Sequence, residues 1–432
     1  MLNAPEFYCL FVSYTAGAHT LRDTGDNELM PSSALPWQRT AAGANLLASN
    51  GDLSVTIFEE ITTLAAKHNA INLGQGFPDT DGPEHFKQQA AQGVLGDKNQ
   101  YAPGSGIFAL RESIARHQAR FYGLTVDPVH EIVVTTGATE AIAASILAFI
   151  KPGDEVITFE PFYDSYGATI GLAGGIHKTV MLNAPDFQPN LNELRKAFTA
   201  RTKMIVLNNP HNPTGATFDK DVLAEIVSLA RKFNCLILSD EVYEHLTFGV
   251  THIPIATLPG AWERTLTLSS VGKTFSFTGW KVGWATGPAH LVAAVRTVKQ
   301  FLSYSSGTAF QPAIAEALDS PTEFFNNFAQ DLAKRSEVLA SGLEAAGMTV
   351  YRPQGTYFIV ADVAPLGFTD AVDLARKMPE AIGVAGIPLS VFCHEEGAKQ
   401  TKTLLRFAFC KKLDLLTQAA ERLALLSSKI GN

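Results

Sequence analysis

The sequence has few cysteines, no basic block and no long apolar run, and each absence excludes a class of protein. The four cysteines of the 432-residue chain are scattered and form no Cys-x-x-Cys pair. This argues against a disulfide framework and against a zinc site, so no metal is expected. The net charge of −8 makes nucleic-acid binding unexpected. No apolar run reaches the ~18 residues of a membrane span, and we expect a cytoplasmic protein without membrane partners.

The chain is long enough for more than one domain, and its pattern of apolar and polar residues changes along its length. Residues 1–44 show little periodicity and are expected to be an N-terminal extension, either disordered or preceding a true start at Met30. Their apolar stretch FYCLFVSYTAG lacks a basic flank and is typical of neither a secretion signal nor an anchor. Residues 45–71 are expected to pack on a small domain, with a large domain over 72–319 and the small domain over 320–432.

Short β-branched runs alternate with helical patterns between about Thr56 and Ser320. The expected strands are EIVVTT, DEVITFE, KMIVLNN, CLILSDE, TLTLSS and KVGWAT. Helical stretches such as TEAIAASILAFI, DVLAEIVSLARKF and HLVAAVRTVKQFL separate them. Strands that alternate with helices form mainly parallel sheets covered on both faces. The sequence therefore predicts an α/β fold, a large domain with a mainly parallel sheet, followed by a smaller α/β domain that contains TYFIVADV and TLLRFAF.

Two strand-to-helix junctions predict ligand contacts, because ligands of open α/β sheets lie beyond the carboxyl ends of the strands. At the first junction Gly137, Ala138 and Thr139 begin a helix, where backbone N–H groups can approach a phosphate. The alternative is an ordinary turn. At the second, NNPHNPTG contains two Asn-Pro steps and a glycine. It is either a rigid turn or a loop in which Asn212 presents its amide to a bound ring.

Two further junctions carry charged residues beside apolar runs. Asp240 ends the run LILSD, where a carboxylate is costly unless it has a partner, and Tyr243 follows it. The alternatives are a solvated loop acid and a carboxylate that faces a cationic ring nitrogen. Lys273 follows a strand among apolar and small neighbours, which would lower its pKa and make it nucleophilic. Ser270 and Lys281 flank it and could contact a phosphate.

Together these junctions supply the groups that pyridoxal 5'-phosphate requires, namely a phosphate cradle, a partner for the ring nitrogen and an amine that condenses with its aldehyde. The amine is Lys273, and once freed it is placed to move the substrate's α-proton. A substrate carboxylate needs a cation as well. Arg406, within the apolar strand TLLRFAF, can grip one bidentately. A structural salt bridge is the alternative for this arginine.

From about Thr56 to the C-terminus the chain resembles the class I aminotransferases of fold type I. The motifs that carry the resemblance are NLGQGFPD, NQYAPG, GATEAI, EPFYDSY, NPHNPTG, SDEVYEH, SSVGKTFSFTGWKVGW and LLRFAF. They are most similar to the branch of kynurenine and methionine aminotransferases, and closer still to actinobacterial N-succinyldiaminopimelate aminotransferases. The resemblance implies transfer of an amino group between an amino acid and a 2-oxo acid by a homodimer. The implied amino donor is N-succinyl-LL-2,6-diaminopimelate, or methionine, glutamine or kynurenine.

The resemblance also implies further residue roles. It implies cofactor contacts by Tyr163 on the ring, by Asn212 and Tyr243 on the ring oxygen, and by Ser270, Lys281 and the neighbouring subunit's Tyr101 on the phosphate. It implies that the substrate is held by Gly76, Asn212 and Arg406, with Phe58 near its side chain. Lys281 stands where many class I enzymes have arginine. Tyr304 and Ser305 stand where some kynurenine enzymes have pocket residues, which weakens the case for an aromatic substrate.

Three other functions compete with transamination. A cysteine-conjugate β-lyase would share the cofactor and the early steps. A serine hydrolase is suggested by the Ser-x-x-Lys spacing of Ser270 and Lys273, but Ser-Asp-Asn and Lys-Thr-Gly partners do not follow downstream. A transcription regulator on the same fold would need an N-terminal DNA-binding domain, for which residues 1–44 are too short and not basic. We therefore expect an aminotransferase.

Overall fold

The computed structural model describes residues 34–48 and 50–430. The expectations for Met30 and for the apolar N-terminal stretch lie outside these residues. The helices within them are α1 Pro36–Gly43, α2 Ile57–Lys67, α3 Glu84–Leu95, α4 Phe108–Tyr122, α5 Gly137–Phe149, α6 Asp164–Ala173, α7 Leu191–Ala197, α8 Lys220–Lys232, α9 Val271–Thr274, α10 Ala289–Lys299, α11 Gln311–Leu318, α12 Thr322–Ala345, α13 Ala371–Ala381, α14 Glu395–Gln400, α15 Leu413–Leu423 and α16 Leu426–Ile430. The strands are β1 Ile71–Asn72, β2 Ile132–Thr135, β3 Glu155–Glu160, β4 Ile176–Met181, β5 Thr202–Asn208, β6 Leu236–Asp240, β7 Thr265–Ser270, β8 Gly283–Thr286, β9 Thr349–Tyr351, β10 Phe358–Asp362, β11 Val384–Ala385, β12 Ile387–Pro388 and β13 Leu404–Ala408.

The largest sheet has seven strands in the order β2-β8-β7-β6-β5-β3-β4. All its neighbouring pairs are parallel except those of β8, which is antiparallel to both β2 and β7. Strands β2, β3 and β7 are buried along their whole length, as expected for a sheet covered on both faces. This confirms the predicted α/β class and the mainly parallel sheet. The carboxyl ends of β2, β5, β6 and β7 meet at one edge.

A second sheet, β12-β13-β10-β9, is antiparallel and has four strands. The long helix α12 packs against α15 and β9 beside it. Strand β1 pairs in parallel with β11, which joins the chain before the large sheet to the chain after it. Helix α2 packs against α13, where Glu60 Oε1 lies 2.7 Å from Arg376 Nε. The first part of the chain is thereby attached to the C-terminal part.

Helix α1 and strand β4 are among the elements that differ from the sequence-based expectation. Helix α1 lies within the segment expected to be an extension, and it packs on α6 through glycines. A Cβ on Gly43 would lie 2.1 Å from the Gly167 carbonyl oxygen, so the two backbones approach too closely for a side chain. Strand β4 was not predicted, because IHKTVM is a half-buried edge strand with polar residues among its apolar ones.

Length and polarity rule out a membrane-crossing segment among the helices that the structure describes. The longest of them, α12, has 24 residues and carries charged residues along its length.

Candidate active site

A cavity of about 480 Å³ opens at the edge where the carboxyl ends of the central strands meet. Residues of β10 and β13 from the second sheet close its other side. The cavity brings together every predicted site residue except Tyr101, namely Phe58, Gly76, Gly137, Ala138, Thr139, Tyr163, Asn212, Asp240, Tyr243, Ser270, Lys273, Lys281 and Arg406. Residues that are up to 348 positions apart in sequence therefore face one space. Those that follow β2, β5, β6 and β7 meet there as the strand-end argument predicts.

Lys273 lies in the short helix α9, directly after β7, with its amine inside the protein. Its Nζ donates a hydrogen bond to the Tyr357 hydroxyl oxygen at 2.9 Å and lies 5.7 Å from the centre of the Tyr243 ring. Burial lowers the pKa of this amine to about 8, because the charged form loses its water, although Asp240 opposes the shift. An appreciable share of the amine is therefore neutral, and nucleophilic, near neutral pH.

Asp240 is the last residue of β6 and is 3% exposed. The Tyr166 hydroxyl donates to its Oδ2 at 2.7 Å, and the Val242 N–H lies 3.4 Å from its Oδ1. Burial raises the pKa of the carboxyl to about 6, despite the hydrogen bond from Tyr166. The site thus holds a dehydrated carboxylate that a nearby cation would stabilise. Tyr243 is buried behind it, and burial raises its pKa.

Small residues form the opposite wall, at the N-terminus of the 13-residue helix α5. Gly137 has φ +70°, and a Cβ there would lie 3.3 Å from Lys281 Nζ. Lys281 Nζ is 3.4 Å from Thr139 Oγ1, and Ser270 precedes α9 across the cavity. Free N–H groups of a helix terminus, a lysine and hydroxyls are the groups that bind a phosphate.

Arg406 lies on β13, is 3% exposed and is surrounded by aromatic rings. Its guanidinium carbon is 4.1 Å from the centre of the Phe358 ring and 4.5 Å from that of Phe392. Nη2 donates to the Gly74 carbonyl oxygen at 2.8 Å, and Nη1 donates to Asn212 Oδ1 at 3.3 Å.

No carboxylate of the described residues lies within ion-pair distance of Arg406, and its Nε has no hydrogen-bond partner among them. Burial lowers the pKa of the guanidinium to about 10. The predicted alternative, a structural salt bridge, is therefore wrong for the described part of the chain. A buried cation with a free donor is a suitable site for a carboxylate from outside.

The remaining predicted residues differ in their placement. Tyr163 lines the cavity beside α6, and burial raises its pKa. Phe58 lines it from α2 and Gly76 from the loop after β1. Tyr101 lies outside the cavity, 81% exposed, with its ring centre 5.4 Å from that of Tyr304. Its assignment to the site of a neighbouring subunit stays a prediction.

Several residues of the site were not predicted from the sequence. Tyr166, which holds Asp240, lies three residues after Tyr163 and on the same side of α6, so helical spacing within EPFYDSY could have found it. Tyr357, which holds Lys273, is 84 positions away in sequence. Its position at the start of the strand TYFIVADV carries no signal of that contact. Phe358 falls in the predicted strand TYFIVADV, and neither it nor Phe392 carries a local sequence signal of its contact with Arg406.

Away from the cavity, one group of described residues could offer three metal ligands, namely His117, Glu244 and His245. Neighbours already occupy these side chains. The two histidine Nε2 atoms are 2.7 Å apart and share a hydrogen bond. Tyr122 and Ser269 each donate a hydrogen bond of 2.6 Å to Glu244. The group is thus explained as a buried hydrogen-bond network.

The cavity fits the cofactor expected from the sequence. Its phosphate-type cradle would be filled by a Cβ at Gly137, its buried carboxylate has no cation within ion-pair distance among the residues that the structure describes, and its amine is partly neutral. A phosphate, a protonated ring nitrogen and an aldehyde would satisfy these three groups. The free Nε of Arg406 suits the carboxylate of an amino acid beside it.

Comparison with known proteins agrees with this chemistry. Residues 68–423 match the family "Aminotransferase class I and II". The solved N-succinyldiaminopimelate aminotransferase of Mycobacterium tuberculosis superposes with a TM-score of 0.83 at 46% identity, covering 86% of this chain and 97% of that one. The methionine aminotransferase of Escherichia coli is 38% identical over 92% of this chain and 99% of its own length. The kynurenine–oxoglutarate transaminase 3 of Mus musculus is 37% identical over 85% and 87%. The chain therefore belongs to the class I and II aminotransferase family and is a pyridoxal-phosphate-dependent transaminase.

Proposed function

We propose that Lys273 is the amine that holds the cofactor and moves the substrate proton, and that Asp240 faces the ring nitrogen. When bound, pyridoxal phosphate supplies an electron-withdrawing ring that accepts the electron pair left at the substrate Cα. Lys273 supplies the base, because its lowered pKa leaves a fraction of free amine near neutral pH. The Lys273 amine would remove the α-proton of the bound substrate and return it on the cofactor side.

Asp240 acts through charge. Its carboxylate is buried, so an ion pair with a protonated ring nitrogen at 4 Å would be worth roughly 4 kcal/mol at an effective dielectric of 20. Tyr166 fixes the position of the carboxylate by its hydrogen bond of 2.7 Å. Tyr163 would cover the ring, and Asn212 and Tyr243 would hydrogen-bond to its oxygen. Asp240 thereby keeps the electron-accepting form of the ring populated.

The phosphate is held by backbone N–H groups at Gly137, Ala138 and Thr139 together with Ser270 and Lys281. The N-terminus of α5 adds the favourable end of a helix dipole, worth about 0.3–1 kcal/mol for an anion at an exposed site. These contacts would anchor the cofactor while its bond to Lys273 is open.

Arg406 binds the substrate carboxylate, and this role rests on one observation. It is a buried guanidinium whose Nε has no hydrogen-bond partner and which has no carboxylate within ion-pair distance among the described residues, although Asp164 acts on it electrostatically. Its bonds to Gly74 and Asn212 hold it in place, so little side-chain entropy is lost on binding. Gly76 and Asn212 would contact the substrate backbone, and Phe58 its side chain.

For the substrate we propose N-succinyl-LL-2,6-diaminopimelate with 2-oxoglutarate as the acceptor. The support is the 46% identity to the Mycobacterium tuberculosis structure, over nearly the whole of that chain. Methionine is the second candidate, because Phe58, Phe358 and Phe392 give the substrate side an apolar wall. The cations that line the cavity within the described chain are Lys273, Lys281 and Arg406, all of them already assigned. A substrate with distal carboxylates would need a further cation from a partner subunit.

The test is a panel of amino donors with 2-oxoglutarate, measured as kcat/KM. N-Succinyl-LL-2,6-diaminopimelate is expected to exceed methionine, glutamine and kynurenine by at least 100-fold. Methionine in first place would overturn the first choice in favour of the second. The same assay with a cysteine conjugate, read as keto acid against released thiol, separates transamination from β-lyase activity.

We also propose that the enzyme is a cytoplasmic homodimer in which Tyr101 reaches the partner's phosphate site. The support is an exposed apolar surface around it, with Tyr101 81%, Phe301 84% and Leu302 51% exposed. Light scattering after gel filtration would give the mass directly, and a monomer at micromolar concentration would contradict the proposal. Within each subunit we propose a cofactor-binding domain over 72–319 and a small domain over 320–432, on which 45–71 packs.

A further inference from the structure

Tyr357 carries a buried hydroxyl that is hydrogen-bonded to several parts of the site, among them the Tyr243 side chain. The residue is 1% exposed and stands immediately before β10. Its oxygen accepts a hydrogen bond from Lys273 Nζ at 2.9 Å, and its O–H donates to the Gly76 carbonyl oxygen at 2.6 Å. One hydroxyl thus connects the reactive amine to the loop that follows β1.

The orientation of these bonds assigns the hydroxyl a definite function. Because its proton is used on Gly76, its oxygen is left to accept from the amine, whether the amine is charged or neutral. Burial raises the pKa of Tyr357 well above its usual value, so the group stays a neutral hydroxyl throughout the working pH range. It can therefore orient Lys273 without itself exchanging a proton with solvent.

The same loop is held at its other end by the substrate-binding group. Arg406 Nη2 donates to the Gly74 carbonyl oxygen at 2.8 Å, two residues before the carbonyl that Tyr357 holds. The Lys273 amine, through Tyr357, and the Arg406 guanidinium are thus both hydrogen-bonded to the three-residue segment 74–76. A fixed distance between these two groups is what brings the substrate's α-proton within reach of the base.

We propose that Tyr357 is a positioning residue for the reaction, which holds the free amine of Lys273 at the site of proton transfer and fixes it relative to the loop that Arg406 also contacts. This deepens the proposed function and rests on the role given there to Lys273. The aromatic rings around it support the geometry, since the Tyr243 ring meets the Tyr357 ring edge-on with centres 5.3 Å apart. The tyrosine therefore has little freedom to turn away.

The test is Tyr357→Phe, which keeps the ring and removes the hydroxyl. The enzyme is first converted by excess amino donor to the form in which the cofactor carries the amino group and Lys273 is free. Pulse acetylation across a pH series, read by mass spectrometry on the peptide that contains Lys273, then gives the midpoint of its titration. The charged amine loses an acceptor in the variant, so the midpoint is expected to fall by about one pH unit. We also expect kcat to fall about 10-fold to 100-fold, with KM changed less than 3-fold.

Tyr122→Phe is the matched control. It also removes one short tyrosine hydrogen bond, of 2.6 Å to Glu244, but from a side chain that does not line the cavity. It should leave the midpoint, kcat and KM unchanged. An unchanged midpoint in Tyr357→Phe would overturn the proposal, even if activity fell, since a merely structural residue would produce that result. Lys273→Ala distinguishes a failure of the proposed function from a failure of the positioning role of Tyr357. If it abolishes turnover while Tyr357→Phe has no effect, the proposed function stands and only the positioning role is wrong.

Discussion

Replacing Arg406 by alanine tests whether this residue binds the substrate carboxylate. The guanidinium is 3% exposed, so a carboxylate bound to it is largely removed from water. Truncating one partner of such a buried charge pair costs about 2–5 kcal/mol. At about 1.4 kcal/mol per factor of ten, kcat/KM should fall between roughly 30-fold and several thousand-fold. Because every amino donor and every 2-oxo acid shares the carboxylate, the loss should be similar for all of them and should fall mainly on KM.

The assay is steady-state kinetics with at least four amino donors, and two controls accompany it. Arg406→Lys keeps a charge but loses the planar fork, so a smaller loss is expected. Arg376→Ala removes an arginine of the protein surface whose Nε lies 2.7 Å from Glu60, and kcat/KM should not change. A loss in Arg406→Ala that is confined to one donor would refute the reasoning, as would no loss at all.

Three further predictions concern the cofactor side of the cavity. Capture of the cofactor by the cofactor-free protein should accelerate as pH rises and level off above about 8, where Lys273 becomes neutral; a rate independent of pH between 6 and 9 would contradict this. Asp240→Asn should lower kcat by about a thousandfold, from roughly 4 kcal/mol of lost pairing. Burial raises the pKa of Asp240 to about 6, so above that pH its charge destabilises the cofactor-free fold by roughly 3 kcal/mol. At pH 8 cofactor-free Asp240→Asn should therefore have a higher melting temperature than the unmodified protein. This difference should vanish as the pH falls towards 4. Gly137→Ala should weaken cofactor binding about 10-fold in an equilibrium titration, because φ is +70° there and the new Cβ would crowd Lys281.

The parts of the fold that sequence predicted best are those in which burial and periodicity agree. The central strands, such as Leu236–Asp240, are short apolar runs ended by polar residues, and their predicted bounds differ from the observed ones by one or two residues. Edge strand β4 and helix α1 escaped prediction for a common reason. Their stability comes from tertiary contact, a strand neighbour in one case and a glycine–glycine approach in the other. Neither contact leaves a periodic pattern in the local sequence.

The same distinction applies to the site. Lys273, Asp240 and Gly137 could be predicted because each follows a strand, and parallel strands bring their ends together. The residues that hold these groups could not be predicted in this way. Tyr357 contacts Lys273 only because the second sheet packs over the first, and no pattern in the sequence predicts that contact. Sequence thus indicates which groups meet in the cavity, whereas the hydrogen bonds that support them require the three-dimensional structure.

The contact between α1 and α6 has a consequence for how far the chain can be shortened. Helix α6 carries Tyr166, the residue that fixes Asp240, and its outer side is covered by α1 through Gly43 and Gly167. Asn45 Nδ2 also donates to the Cys393 carbonyl oxygen at 3.0 Å, next to the aromatic wall around the guanidinium. Removal of the chain beyond Pro36 would expose the glycines of α6 to solvent. It would also weaken both the packing on α6 and the hydrogen bond to Cys393. Helix α1 is thus linked, through α6 and Tyr166, to Asp240, a site residue some 200 positions further along the sequence.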